Sequence, residues 1–376
     1  MTAWAIAAGD FTPLGGMDRA NHALARYLAG AGRDVHLVAH RVWNDLEALP
    51  NVTVHHAPRP FGSHLLGGPL LARTADATAT KLPSGSRLLS NGGNTRWTAP
   101  TWIHYLHAAY EPQAADVRAR IVTTAGRRSH LTHEADAIAR ACAVICNSRR
   151  TADDVCRAYT VSEESIRVVY YGTDPQQFGP IADDERRAAR ATLGVDPDRP
   201  VVLFVGALGD RRKGFDVLFE SWRTLCADVA WDVDLAIAGA GAEADEWARR
   251  AEAQGLARRM TFLDFRDDIP RVFAAADVIV HPARYEAYGL SVHEALCRGL
   301  PAIVSSCAGV AERLPASLAP LVLADHESPA LLVERLRTWR GDIAGWRGRA
   351  QAFGAELRRR TWDDMAAEIA GIVEQS

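Results

Sequence analysis

The stretch from Ala276 to Ser306 holds two glutamates, Glu286 and Glu294, with seven residues between them. Residues 277–281 (DVIVH) are a short β-branched run suited to a strand buried on both faces. Pro282 ends it and Gly289 permits a sharp turn. Ser291 is placed to cap a helix from about Val292, and Gly299-Leu300-Pro301 stops that helix before a strand at 302–305. Ligands of such units sit at the carboxyl ends of the strands, where helix N-termini point. A loop carboxylate and one in the first helical turn can therefore face one pocket, although the pair alone fits a solvated surface as well. A second set is Arg211-Arg212-Lys213, between a strand at 201–205 and a helix from about Phe215. Three such cations commonly lie in solvent. Beside a helix N-terminus they also suit a diphosphate, whose growing charge on departure they would offset. Gly15-Gly16, in a strand–helix loop, presents free backbone N–H groups, the geometry of an ordinary turn or of a phosphate site. His107 closes the run TWIHYLH (101–107), as a core, surface or site histidine.

The elements that must position these residues alternate. Strands are expected at 4–8, 35–39, 52–55, 88–90, 101–107, 143–147 and 166–170, with helices at 17–29 and near 128–141. After the turn-rich YGTDPQQFGP (171–180) and a charged helix at 182–193, a second series follows at 201–205, 234–238 and 260–263. The rhythm predicts two α/β domains with parallel sheets. They are assigned as 1–178 and 179–357, with an amphipathic helix at about 358–376 packing back on the first.

Composition narrows the classes. The chain has 376 residues, 48% hydrophobic and 24% charged, with a formal net charge of −3. That balance gives no electrostatic reason to expect nucleic acid as partner. No run of about 18 apolar residues suggests a membrane span and no basic leader precedes the first strand, so a cytoplasmic location is expected. The six cysteines lack C-x-x-C spacing and are expected to be small buried residues. HLTHE (130–134) is not the H-E-x-x-H arrangement, and Asp232-Val233-Asp234 leads into a strand, so neither is read as a metal site.

Five segments carry a family resemblance. EAYGLSVHEA (286–295) resembles the Glu-x7-Glu segment, E-G-F-G-L-x-x-x-E-A, of the retaining family 4 glycosyltransferases, nucleotide-sugar enzymes of the GT-B fold. VGALGDRRKGF (205–215) resembles their G-R-x-x-x-x-x-K-G, with Lys213 on the lysine and Ala207 where the arginine is usual. Asn147-Ser148 and VVYYGTDPQQF (168–178) are similar to two further segments, with Tyr171 in place of an asparagine. GDFTPLGGMDRA (9–20) fits the family's first Gly pair.

The resemblance implies a GT-B fold, two Rossmann-like domains facing each other across a cleft that closes on the donor. It implies a retaining, metal-independent hexosyltransferase using a nucleotide-diphosphate sugar, UDP first and GDP next, and no cofactor. His107, Lys213 and Glu286 become the catalytic set. Gly15 and Gly16 approach the donor's phosphates and sugar. Lys213 with Arg211 or Arg212 holds the diphosphate, and Gly239 and the backbone at Arg266 meet the nucleotide. Glu286 takes the sugar and Glu294 the ribose, with Tyr288, Gly289 and Leu290 completing the loop. The partners implied are the donor and an unidentified hydroxyl acceptor, with at most peripheral membrane contact. The acceptor would meet the least family-like loops, 60–69 and 110–129, where Arg118, Arg120, Arg127 and Arg128 face either solvent or an anionic acceptor. A nucleotide-sugar epimerase or phosphorylase, and a silent nucleotide-sugar-binding protein, are the alternative readings.

Overall fold

A computed structural model of the chain describes residues 2–111 and 117–376, the side chains at 64 and 117–125 excepted. Arg118 and Arg120 therefore lie outside the described side chains. The chain divides into two units. One is Met1–Gly172 with Arg360–Ser376, and the other is Thr173–Arg359. The first division falls six residues before the sequence-based boundary at 178, and the return comes after Arg359, two residues later than assigned.

In the first unit the strands β1 (Ala3–Ala7), β2 (Asp34–Ala39), β3 (Val52–His56), β4 (Arg87–Asn91), β5 (Thr101–Ile103), β6 (Val144–Cys146) and β7 (Ile166–Val168) form one parallel sheet in the order β3-β2-β1-β4-β5-β6-β7. Every residue of β1 is buried, as a strand covered on both faces must be. Helices α1 (Met17–Gly30), α2 (His64–Ala79), α3 (Val117–Arg140) and α4 (Arg149–Ala158) connect the strands. Ser148 caps α4 by accepting from the Thr151 N–H at 3.0 Å.

In the second unit β8 (Val201–Val205), β9 (Asp234–Ala238), β10 (Met260–Phe262), β11 (Val278–His281), β12 (Ala302–Ser305) and β13 (Val322–Leu323) form a parallel sheet in the order β10-β9-β8-β11-β12-β13. Its helices are α5 (Asp183–Leu193), α6 (Phe215–Cys226), α7 (Ala244–Ala253), α8 (Ile269–Ala275), α9 (Leu290–Cys297), α10 (Pro329–Gly341) and α11 (Ile343–Leu357). The last helix, α12 (Trp362–Gln375), packs on α1 in the first unit, where Arg33 donates to Glu374 at 2.8 Å. Thr361 and Asp364 close a reciprocal capping box at its start. Strand order reverses at β1/β4 in one unit and at β8/β11 in the other, and the loops after those strands are the ones that meet ligands in such sheets.

Three readings of the sequence are corrected. The run 101–107 is a strand only to Ile103. His107 instead opens a short 3₁₀ turn, His107–Ala109, because the Glu134 carboxylate accepts its backbone N–H (2.7 Å) and that of Ala108 (3.1 Å), ending the ladder. Ser291 does not cap α9; Gly289 stands at the N-cap with φ 102 and no side-chain cap bond, so the helix starts at Leu290 and Glu294 falls in its second turn. Of the cysteines, all free, Cys146 and Cys297 are buried while Cys142 and Cys156 are exposed.

Candidate functional site

The loops after β8 and β11 meet through their backbones. A Cβ on Gly214 would collide with the Pro282 carbonyl oxygen, so only glycine lets them approach this closely. Arg284 ties them further. Its backbone N–H donates to the Arg212 carbonyl (2.8 Å), and its guanidinium donates to the Arg211 carbonyl (2.6 Å), both oxygens of Asp216 (2.8 and 2.9 Å) and Glu327. The Asp216 bonds above all raise the Arg284 pKa, which fixes it as a permanent cation.

Held this way, Lys213 Nζ donates to Glu286 Oε2 at 2.5 Å, Arg212 Nη1 lies 3.7 Å from the same oxygen, and His281 Nε2 lies 3.5 Å from it. Burial alone would raise the Glu286 carboxyl. The Lys213 ammonium, then His281 and Arg212, outweigh burial and hold it far below the usual carboxylate range. His281 is 1% exposed at the end of β11, and burial lowers its pKa despite Glu286. Arg211 turns away to Asp216 (3.3 Å), leaving Arg212 as the arginine beside Lys213 and Glu286. Arg212 is itself paired with Asp210, at 3.1 Å.

The other predicted positions of this unit are placed as follows. Gly289 adjoins Glu286, whose Cγ would lie 3.4 Å from an added Cβ. Leu290 begins α9, and Glu294 on that helix is 4% exposed. The Tyr288 hydroxyl meets His293 Nδ1 at 3.0 Å and accepts from Arg313 at 3.2 Å. Gly239, after β9, packs so tightly on the Gly206 carbonyl that a side chain would clash. Its N–H donates to the Asp264 carbonyl at 2.8 Å. Asp264 has φ 55, which explains why glycine is usual there and why an aspartate is among the few tolerable replacements. Arg266 donates twice to Asp268, at 2.8 and 2.7 Å, beside Phe265, which is 72% exposed. Asp232 and Asp234 are engaged by Arg340 and by Arg259 and Arg199, structural pairings for the D-x-D. A hollow of about 530 Å³ between α5 and α8 includes none of these positions and is lined by Glu185, Asp267 and Asp268 among others.

The first unit holds Gly15, Gly16 and His107. Gly15 has φ 78 and Gly16 is the N-cap of α1. His107 lines a cavity of about 420 Å³ with Gly9, Asn91, His130 and Glu134, at the loops after β1 and β4. Its ring stacks on His130 at 4.5 Å between centroids. Burial chiefly, with His130 and Arg127, lowers its pKa to about 4, so it is neutral at pH 7. His104 lines the same cavity and is pushed to about 3 by burial; its Nδ1 meets the Tyr171 hydroxyl at 2.5 Å. Asn147 donates to that hydroxyl at 3.2 Å, so the tyrosine standing for asparagine is built into a buried network.

Sequence reasoning missed Glu134, His281, Arg284 and Asp18. Asp18, in the first turn of α1, is raised to about 6 by burial and by Asp10. HLTHE is not read as a metal site, and nothing in it marks Glu134 as the acceptor of the His107 and Ala108 backbone N–H groups and of the Tyr159 hydroxyl at 2.7 Å. Nothing in the sequence marks Arg284, whose partners lie 43 and 68 residues away.

Residues 14–177 match the family Glycosyltransferase Family 4, and residues 199–341 match Glycosyl transferases group 1. An uncharacterized glycosyltransferase of Methanocaldococcus jannaschii is 30% identical over 46% of this chain and 44% of its own length. The D-inositol 3-phosphate glycosyltransferase of Jonesia denitrificans is 26% identical over 75% of this chain and 67% of its own. The chain thus spans about half to two thirds of these curated relatives. The sucrose-phosphate synthase of Thermosynechococcus elongatus superposes with a TM-score of 0.79 at 21% identity, covering 100% of this chain and 99% of that one. Anabaena HepE, solved with UDP-glucose, gives 0.74 at 18% identity with both chains covered in full, 100% each. The shared fold is GT-B.

Proposed function

The chain belongs to the family 4 glycosyltransferases, and from that premise we propose that it transfers a hexosyl group, with retention, from a nucleotide-diphosphate sugar to a hydroxyl acceptor. The observation that carries this is the Lys213–Glu286 pair at 2.5 Å with Arg212 beside it, at the carboxyl ends of adjacent parallel strands. A carboxylate kept ionised there accepts hydrogen bonds from sugar hydroxyls. The two cations offset the charge that grows on the departing diphosphate. Glu294 on α9 serves the ribose, and the exposed Phe265 with the backbone at Arg266 the base. Gly15-Gly16 at the N-terminus of α1 serves the donor phosphates and sugar. His107, neutral and lining the cavity of the first unit, is placed for the acceptor. Departure of the diphosphate and attack on the same face let a leaving phosphate oxygen take the acceptor's proton.

UDP is favoured as the nucleotide because HepE, which shares the fold, is solved with UDP-glucose. With cations of the chain supplying the neutralising charge, no resident metal or other cofactor is needed. The six free thiols, two of them exposed, suit a reducing cytoplasm. Among the described residues no helix is long and apolar enough to cross a membrane.

A thermal-shift panel of UDP-, GDP- and dTDP-sugars tests the donor, since a bound ligand raises the melting temperature by mass action. UDP-sugars should give the largest rise, and turnover should survive EDTA with an α-linked product from an α-donor. No rise with any nucleotide sugar would sink the reading. Phosphate-dependent release of sugar phosphate without acceptor would replace transfer with phosphorolysis.

A further inference from the structure

Of the eight large apolar side chains exposed among the described residues, six lie on or beside three loops of the first unit: Leu14 with Met17 at the start of α1, Trp43, and Phe61 with Leu65 and Leu66 in the first turn of α2. The loops are joined. Residues Asp10–Phe11 pair with Arg41–Val42, the Trp43 N–H donates to the Phe11 carbonyl at 2.9 Å, and Asp10 binds both Arg41 (3.1 Å) and Arg59 (3.5 Å). Met17 and Leu65 also line the 420 Å³ cavity, so the apolar face borders it.

Phe61 is the telling residue. It is 99% exposed and held at φ 53, a left-handed conformation that costs a phenylalanine free energy, in a turn that presents its ring wholly to water. Burial in this fold does not account for that cost; burial in something else would.

We infer that this face docks on a lipid bilayer surface, with Phe61, Leu65, Leu66 and Trp43 entering the headgroup–acyl boundary. Three features select a bilayer over a protein partner. Phe61, Leu66 and Trp43 stand in solvent outside the cavity, 99%, 50% and 43% exposed, which suits a fluid that closes around them. The set is Trp, Phe and Leu, the residues that interfacial segments bury. Exposed cations also flank the set. Arg73 is exposed on α2 seven residues beyond Leu66, two turns or about 10 Å along the same face. The Arg41 side chain, beside Trp43, is 56% exposed. An acceptor carried by lipid would then reach the cavity directly from the surface. That consequence rests on the transferase reading, whereas docking does not.

Co-sedimentation of the full chain with vesicles, without donor, tests it. Wild type should pellet with phosphatidylcholine vesicles and more strongly with phosphatidylglycerol present. The F61S/L65S/L66S variant should lose about ten-fold or more in apparent affinity on both, with an unchanged melting temperature because these side chains are exposed. Arg73→Glu should weaken only the phosphatidylglycerol increment. Wild type staying in the supernatant with both vesicle types, or the triple variant binding like wild type, overturns the proposal. So does failure to bind vesicles combined with dimerisation that the triple variant abolishes, which would assign the face to a second copy. Donor-induced thermal shifts are unaffected by any of these outcomes.

Discussion

At the ends of β8 and β11, a lysine, an arginine and a buried histidine converge on one carboxylate oxygen, within 2.5 to 3.7 Å. At the ends of β1 and β4, in the same kind of sheet at the same reversal of strand order, the cavity is faced instead by His104 and His107, both held neutral, and by Glu134, whose carboxyl burial raises. Both regions bury ionisable groups, and they resolve the desolvation cost in opposite ways. Glu286 keeps its charge because cations sit against it. His104 and His107 give theirs up because burial disfavours it, joined at His107 by His130 and Arg127. One region is suited to a diphosphate whose charge changes during reaction. The other presents neutral imidazoles, each of which has a ring nitrogen able to accept a hydrogen bond from a hydroxyl.

The largest effect that would break this comparison is on the charged side. Lys213→Ala should lower kcat/KM for the donor by about 10²–10³, the scale of removing one preorganised electrostatic contact. Glu286→Gln should fall by a similar factor, because the vacated lysine and arginine then face an uncharged amide. Unchanged kcat and KM in either variant, measured by product formation, would remove the site from this place.

A smaller effect sharpens the reading of Ala207. Arg212→Ala should cost about ten-fold in donor KM, a charged hydrogen bond's worth. Arg211→Ala, which loses only a contact to Asp216, should stay within about two-fold. The reverse order would show that Arg211 swings in when donor binds.

The smallest effect is on the neutral side and concerns stability. His107 sits at about 4 when folded against 6.5 when free. A depressed histidine contributes stability that is complete above pH 6.5 and is lost as pH falls toward 4, since the unfolded chain takes up the proton first. His107→Gln should therefore flatten the pH dependence of the urea midpoint between pH 6.5 and 4, with His104 left as the residual slope. An unchanged slope would mean that His107 is already solvated.

Much of this was legible in residues alone, and for local reasons. The strand runs at 201–205, 234–238 and 302–305 are apolar, short and closed by Gly or Pro, so their bounds follow from chain chemistry. The Glu286 loop and the RRK loop were readable because each lies after a strand and before a helix, where a single β–α unit presents groups to a ligand. What failed was whatever depends on a distant partner. His107 left its strand because Glu134, 27 residues on, takes its N–H. Arg212 rather than Arg211 faces Glu286 because Arg284 and Asp216 hold the turn from the far side.

The sequence by itself determined two parallel α/β sheets and which loops carry the charges, because strand burial, breakers and helix starts are read within about ten residues of each other. Only the tertiary structure decided which charges survive burial, which arginine lies beside Glu286, and that Met17 and Leu65, exposed apolar residues of separate segments, line one cavity. Ionisation and solvent exposure are properties of all the surroundings of a group, and those surroundings come from parts of the chain that no local pattern connects.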